Sequence, residues 1–165
     1  MVLLLSLFLL FYQADDLPAA KMWAVDFSAV KQGSVKNQSC FDFDFYSRQI
    51  TFRVKNRSDK TIYIYGVEGD GYNPYGYLIR LDREKNQWLD SQGSASHPPY
   101  KEYMTPVRQH FYGLEVYVLP PGRSIKFKDW AEETYLGSRF KRFIYASLSR
   151  DEEPQMITSE EFILR

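Results

Sequence analysis

The run from Ile50 to Val67 sets the frame for the whole chain. Ile50, Phe52 and Val54 alternate with Thr51, Arg53 and Lys55. A two-residue period of this kind puts apolar side chains on one face and polar ones on the other, which is the pattern of a half-buried strand. Asn56–Lys60 is a polar turn, and Ile62–Tyr65 is a second run of β-branched and aromatic residues. Such an antiparallel pair is marginal by itself and requires a sheet and a core around it.

The remaining segments continue the theme. Trp23, Val25 and Phe27 alternate within Lys21–Phe27, a first strand, and the polar stretch Lys31–Ser39 around Gly33 reads as a loop. Phe41, Phe43 and Phe45 alternate in odd phase, whereas the run from Ile50 is even. A one-residue slip exchanges the two faces of a strand, so a turn or bulge is predicted between Tyr46 and Gln49. Glu68–Pro74 is a loop dense in Gly, Asn and Pro. Tyr75–Asp82 is a strand with Tyr77, Ile79 and Leu81 inward, paired with a strand starting at Gln87-Trp88-Leu89. Asp90–Thr105 is long and irregular. Tyr112, Leu114, Val116 and Val118 mark a further strand, and Pro121-Gly122 fits the centre of a type II turn. Ile125 and Phe127 point inward from a strand over Ser124–Lys128. Asp129–Gly137 is the one short helix expected, with Asp129 as cap, Glu132 three residues on and Gly137 as stop. Ile144, Ala146 and Leu148 are in phase along Arg139–Ser149, Arg150–Pro154 is an acidic turn, and Glu161–Leu164 closes the sheet. About eight or nine short strands without βαβ alternation point to an all-β, antiparallel sandwich, with a barrel as the alternative.

Charge patterning divides the chain. No charged residue precedes Asp15, and Val2–Tyr12 is nearly continuous Leu, Phe and Val. This run is shorter than the ~20 apolar residues that a spanning helix needs, and it fits the apolar region of a secretory signal peptide. The expectation is a signal peptide and linker over residues 1–20, one domain over 21–165, and export to the periplasm or beyond. A hydrophobic arm packed on the domain is the alternative. Acidic and basic residues balance at 21 each, which argues against nucleic acid or a polybasic membrane surface as partner. Cys40 is the sole cysteine, so no internal disulfide forms, and its expected place is that of a small buried hydrophobe. With 13 Tyr, 12 Phe and 3 Trp, the aromatic content favours strands.

Two stretches carry a resemblance. Phe52-Arg-Val-Lys-Asn-Arg-Ser-Asp-Lys-Thr-Ile62 holds a strand end of the form Val-x-Asn-x-Ser, and Leu119-Pro-Pro-Gly-Arg-Ser-Ile-Lys-Phe127 holds a Leu-x-Pro-Gly-x-Ser turn. Together they resemble immunoglobulin-like domains of secreted bacterial proteins, and at this level the chain is also similar to small bacterial β-sandwich proteinase inhibitors. The resemblance implies an antiparallel immunoglobulin-like β-sandwich. It covers about half the chain, through turn and core residues, and carries over no functional residue. The Cys–Trp–Cys arrangement of antibody domains is missing.

Candidate sites follow from residue type. Tyr72, Tyr75, Trp88, Tyr100, Tyr103 and Phe111 lie in or beside loops. Clustered at one end of a sandwich they make a rigid, amphipathic contact patch for a protein or a glycan, and their bland reading is cover for sheet edges. Glu68, Asp70 and Asn73 offer oxygen ligands for Ca²⁺ in one loop, but the closing Glu of an EF-hand is missing, and a solvated turn is the expected role. Asp42 and Asp44 share a strand face and read as a solvated pair near Arg53. His97 and His110 are the only histidines, with no Gly-x-Ser-x-Gly elbow and no Cys/His zinc spacing. Asn37-Gln-Ser39 and Asn56-Arg-Ser58 fit the glycosylation pattern. The function expected is non-enzymatic: an exported sandwich, with no cofactor or metal, that binds another macromolecule through Tyr72, Tyr75, Trp88, Tyr100 and Tyr103. One form is an inhibitor-like or immunity-type partner of a secreted enzyme. The alternatives are a carbohydrate-binding module, a hydrolase using Asp42, Asp44, Glu68 or Asp70, and a structural module without a ligand.

Overall fold

A computed structural model describes residues 24–40, 43–68, 71–84, 86–89 and 113–165. The expected signal segment, Trp23, Asp42, Asp70, His97, Tyr100, Tyr103, His110 and Phe111 lie outside the described residues. Among those described the architecture is an antiparallel β-sandwich. A three-stranded sheet runs in the order β1 (Val25–Cys40), β2 (Phe43–Asn56), β8 (Ser124–Glu132). The second sheet is built on β9 (Arg139–Ser147). One edge of β9 pairs with β10 (Gln155–Thr158) and β11 (Phe162–Ile163). β3 (Ile62–Val67) and β5 (Leu78–Asp82) also pair with β9. β4 (Asn73–Pro74) and β7 (Glu115–Leu119) flank β3, and β6 (Gln87–Leu89) flanks β5.

The alternation around Ile50 does what its period requires. Ile50, Phe52 and Val54 are fully buried between the sheets. Phe52 is the hub, with ring centroids 6.0 Å from Phe27 on β1, 5.5 Å from Phe127 on β8 and 5.6 Å from Phe162 on β11. Burying each such side chain stabilises by about 1.5–3 kcal/mol before entropy is counted. Ile62, Ile64, Phe140, Ile144, Ala146 and Ile157 complete the core from the opposing sheet.

The two stretches that carry the family resemblance meet in space. Asn56 is fully buried, and its Nδ2 donates to the Lys60 carbonyl at 2.7 Å and the Leu119 carbonyl at 3.0 Å. Its Oδ1 accepts from the Ser58 amide at 2.9 Å and the Ser58 hydroxyl at 2.7 Å. Its backbone pairs with Gly122 and Arg123. The Pro121–Gly122 turn closes through Arg123 N to Pro120 O at 3.2 Å, with Gly122 at φ +72 as a type II turn demands. One buried amide thus satisfies the turn after β2 and the strand end of β7, and the glycosylation pattern at Asn56 is structural.

Several expectations are corrected. Lys31–Ser39 is strand, because β1 runs to Cys40 opposite Phe43 and finds a continuous ladder on β2. β2 has no turn at 46–49, since its pairing with β8 is unbroken from Ser47 to Lys55. The irregularity sits across the ladder on β1, whose register shifts between Ala29 and Lys31 and between Gln32 and Val35. Gly33 lies within the second shift. The predicted helix is strand through Glu132 and then a single 3-10 turn, Glu133–Tyr135. Pairing with β2 supplies the backbone bonds that a two-turn helix makes only marginally, and the Asp129 carboxylate is drawn into an ion pair. On β7 it is Leu119 that enters the core, while Val118 stays exposed. β10, unpredicted, lies where the acidic turn ends.

Candidate functional site

The larger sheet departs from the usual economy of an antiparallel sheet, one dry face and one wet. On β3, Ile62 and Ile64 enter the core, so Tyr63, Tyr65 and Val67 turn outward. The pairings Tyr63–Val118, Tyr65–Val116 and Val67–Asn73 carry that outer row onto β7 and β4. On β9, Tyr145 takes the same side, opposite Met156 of β10. Tyr65 and Tyr145 pack as a second apolar cluster with Tyr63, Leu114, Val116 and Met156. The outer face is therefore aromatic and aliphatic where solvent would select polar residues.

Tyr75 stands at the rim of this face. Its backbone N–H donates to the Tyr65 carbonyl at 2.8 Å, its ring lies 5.8 Å from Tyr145, and it is 45% exposed. Val67 and Val118, 49% and 40% exposed, border the same surface. The Arg150 guanidinium sits 5.8 Å from the Tyr63 ring, a cation at the margin. The loop bearing Tyr75 is held from beneath. A Cβ on Gly76 would lie 2.1 Å from the Phe143 carbonyl, so only glycine allows this approach.

Arg142 is the anchor under that loop. It occupies an inward position of β9, between Phe140 and Ile144, and is almost wholly buried. Its Nε pairs with Asp129 Oδ2 of β8 at 2.6 Å, its Nη2 donates to the Pro74 carbonyl at 3.2 Å, and its Nη1 donates to the Phe143 carbonyl. The Phe127 ring lies 5.7 Å from its guanidinium carbon. Burial pulls the guanidinium below its ordinary pKa, and Asp129 pushes it back. Sequence reading overlooked this residue, although a cation in the inward phase of a strand is itself a signal.

The predicted site residues divide. Tyr75 is on the outer face. Tyr72 packs against the core from the other side, with its ring 5.2 Å from Tyr117. Its hydroxyl donates to the Ile64 carbonyl at 2.6 Å and accepts from the Tyr117 N–H at 3.3 Å, strapping β3 to β7. Burial pushes it up to about 12. Trp88 is half-buried on β6, with Lys141 Nζ 4.5 Å from its ring. Glu68 is exposed, and the carboxyl of Glu115 is raised by desolvation and by the neighbouring Glu68 carboxyl. Among the described residues no three His, Cys, Asp or Glu side chains group as a metal site, and no helix is long and apolar enough to cross a membrane.

Comparison with known proteins adds the fold. The chain is similar to the solved structure of Northeast Structural Genomics Consortium target SoR45, with a TM-score of 0.50 and 11% identity over 86% of each chain. Northeast Structural Genomics target BeR40, described as the "Putative ApaA Protein from Bordetella pertussis", aligns with a TM-score of 0.43 and 12% identity, over 85% of this chain and 93% of that one. Neither a family model nor a curated protein matches the chain.

Proposed function

We propose that this protein is an exported, non-enzymatic β-sandwich that binds another protein through the outer face of its larger sheet, with Tyr75 at its rim as the principal exposed contact. One observation carries the reading: Tyr75, Val67 and Val118 stay exposed on a face whose interior is already packed with Tyr65, Tyr145 and Val116. Exposed apolar groups on strands, and on a loop pinned by Gly76 and Arg142, suit a docking surface, because little conformational entropy is lost on contact. Tyr72 and Arg142 act beneath this surface, fixing β7 and the Tyr75 loop. The apolar run Val2–Tyr12 supports export, and the paired motifs at Asn56 and Pro121-Gly122 support kinship with immunoglobulin-like domains of secreted bacterial proteins.

The test is affinity capture from the cells that produce the protein, comparing tagged wild type with Tyr75→Ala and Val118→Lys. A protein held by wild type and lost with both variants, at unchanged circular dichroism, supports the reading. Equal recovery by all three contradicts it. Glycan-array binding that disappears on Tyr75→Ala, with no protein captured, would instead identify a carbohydrate module.

A further inference from the structure

A second surface lies where the edges of the two sheets meet. Among the described residues β1 pairs only with β2, and β11 only with β9. Their edges are joined by few bonds. The Glu160 N–H donates to the Phe27 carbonyl at 2.8 Å. The Gln32 amide donates to the Ile163 carbonyl at 2.7 Å and accepts from the Arg165 N–H at 2.7 Å. Around this amide lie two adjoining shallow depressions of 390 and 460 Å³, which share Ala29, Gln32 and Arg165.

The lining is cationic with apolar shoulders. Lys31, Arg48 and Arg165 border the depressions, as do Val30 and Ile163, both exposed. Among the described residues none of the three cations has a carboxylate partner. The one acid of the lining, Glu161, is held by both nitrogens of the Arg139 fork, with Nη2 to Oε2 at 2.6 Å. That bond keeps its carboxyl below the usual range. Positive charge stays in excess even when a free α-carboxylate on Arg165 is set against it.

Arg48 is the most telling member. It has the parity of Ile50, Phe52 and Val54, so it extends the inward stripe of β2 as a cation where the sandwich opens. Its Nη1 donates to the Gly33 carbonyl at 3.0 Å, while its Nε is buried with no acceptor. Arg48 borders the first depression with no carboxylate paired to it among the described residues, so an incoming carboxylate gains a charge-assisted hydrogen bond there. The two register shifts of β1 kink this edge, which disfavours a regular added strand and favours recognition through side chains.

We infer that this groove binds an extended acidic segment of a partner polypeptide, its carboxylates meeting Lys31, Arg48 and Arg165 and an apolar side chain resting between Val30 and Ile163. The charge excess, the Arg48 cation at the groove and the two exposed apolar shoulders each match one feature of such a segment. The surface is separate from the tyrosine face: β11 pairs with the start of β9, at Arg139 and Phe140, whereas Tyr145 lies near its end.

Fluorescence anisotropy on the whole protein tests this, using a labelled synthetic peptide of alternating Glu and Val. Wild type binds it; Arg48→Gln and, independently, the surface variant Lys31→Glu each weaken binding about tenfold or more. Raising salt from about 0.05 to 0.5 M weakens it further, and Tyr75→Ala leaves it unchanged. A Lys-and-Val peptide does not bind. Failure of the Glu-and-Val peptide to bind, binding indifferent to both charge variants, or full displacement by inorganic phosphate at equal charge concentration would overturn the inference. Loss on Tyr75→Ala would overturn the claim of a separate surface without touching the tyrosine reading, which the affinity capture decides.

Discussion

At the scale of single residues, three polar side chains carry more than their share. Tyr72 is the clearest, since its hydroxyl completes the β3–β7 ladder. Tyr72→Phe leaves the Tyr117 N–H without its acceptor and should cost about 1–2 kcal/mol in urea unfolding. The pH dependence has a fixed sign. With a pKa raised from 10.0 to about 12, the folded state favours the neutral phenol, so this stability is complete below pH 10 and lost as pH rises through 12. Part of the side chain stays in water, and screening holds the loss to about 1 kcal/mol. Unfolding measured across that window should show a smaller decline for Tyr72→Phe than for wild type. Arg142 and Asp129 form the second case. Removing the acid strands a buried guanidinium, and Asp129→Ala should destabilise by about 2–4 kcal/mol, whereas Arg142→Met, which removes the charge with it, should cost less.

At the scale of elements, Asn56 shows how one side chain can set three. Asn56→Ala orphans the Leu119 and Lys60 carbonyls and the Ser58 amide, so about 2–4 kcal/mol should be lost in thermal or urea unfolding. A loss within about 0.5 kcal/mol would show that water replaces the amide freely. Alternation made β2, β3, β8 and β9 legible in the sequence, because one of their faces meets the same core along its length. It found the start of β1 but failed over Lys31–Ser39 and at Asp129–Glu132, where strands persist through polar residues because a neighbour offers a ladder. Periodicity does not see a partner strand. It also could not tell which side of the larger sheet is core. Ile79 and Leu81 are buried as expected, yet on the face away from Phe140, because Arg80 is the residue opposite Phe140. Of the candidate site, Tyr75 was legible as a loop aromatic. The outer row of Tyr63, Tyr65, Val116 and Tyr145 was not, since it exists only once three strands are laid side by side. Arg48 and Arg142 were visible as charges interrupting apolar stripes, but their different fates, one paired and one open, depend on residues from other strands.

At the scale of the whole molecule, the sandwich spends apolar surface on both faces of one sheet. The inner face explains stability: Phe52→Ala, which removes the ring shared by β1, β8 and β11, should cost about 3–5 kcal/mol. The outer face contributes less to folding, because its rim stays in water. Tyr75→Ala should therefore change unfolding by less than about 1 kcal/mol while abolishing partner capture. The claim on which the functional reading rests is that this outer face meets another protein. Site-specific photo-crosslinking in the producing cells tests it directly, with p-benzoylphenylalanine placed at Tyr75 or at Lys126, an exposed position of β8 on the other sheet. The account predicts a discrete protein adduct from Tyr75 and none from Lys126; no adduct at Tyr75, or equal adducts from both positions, would contradict it.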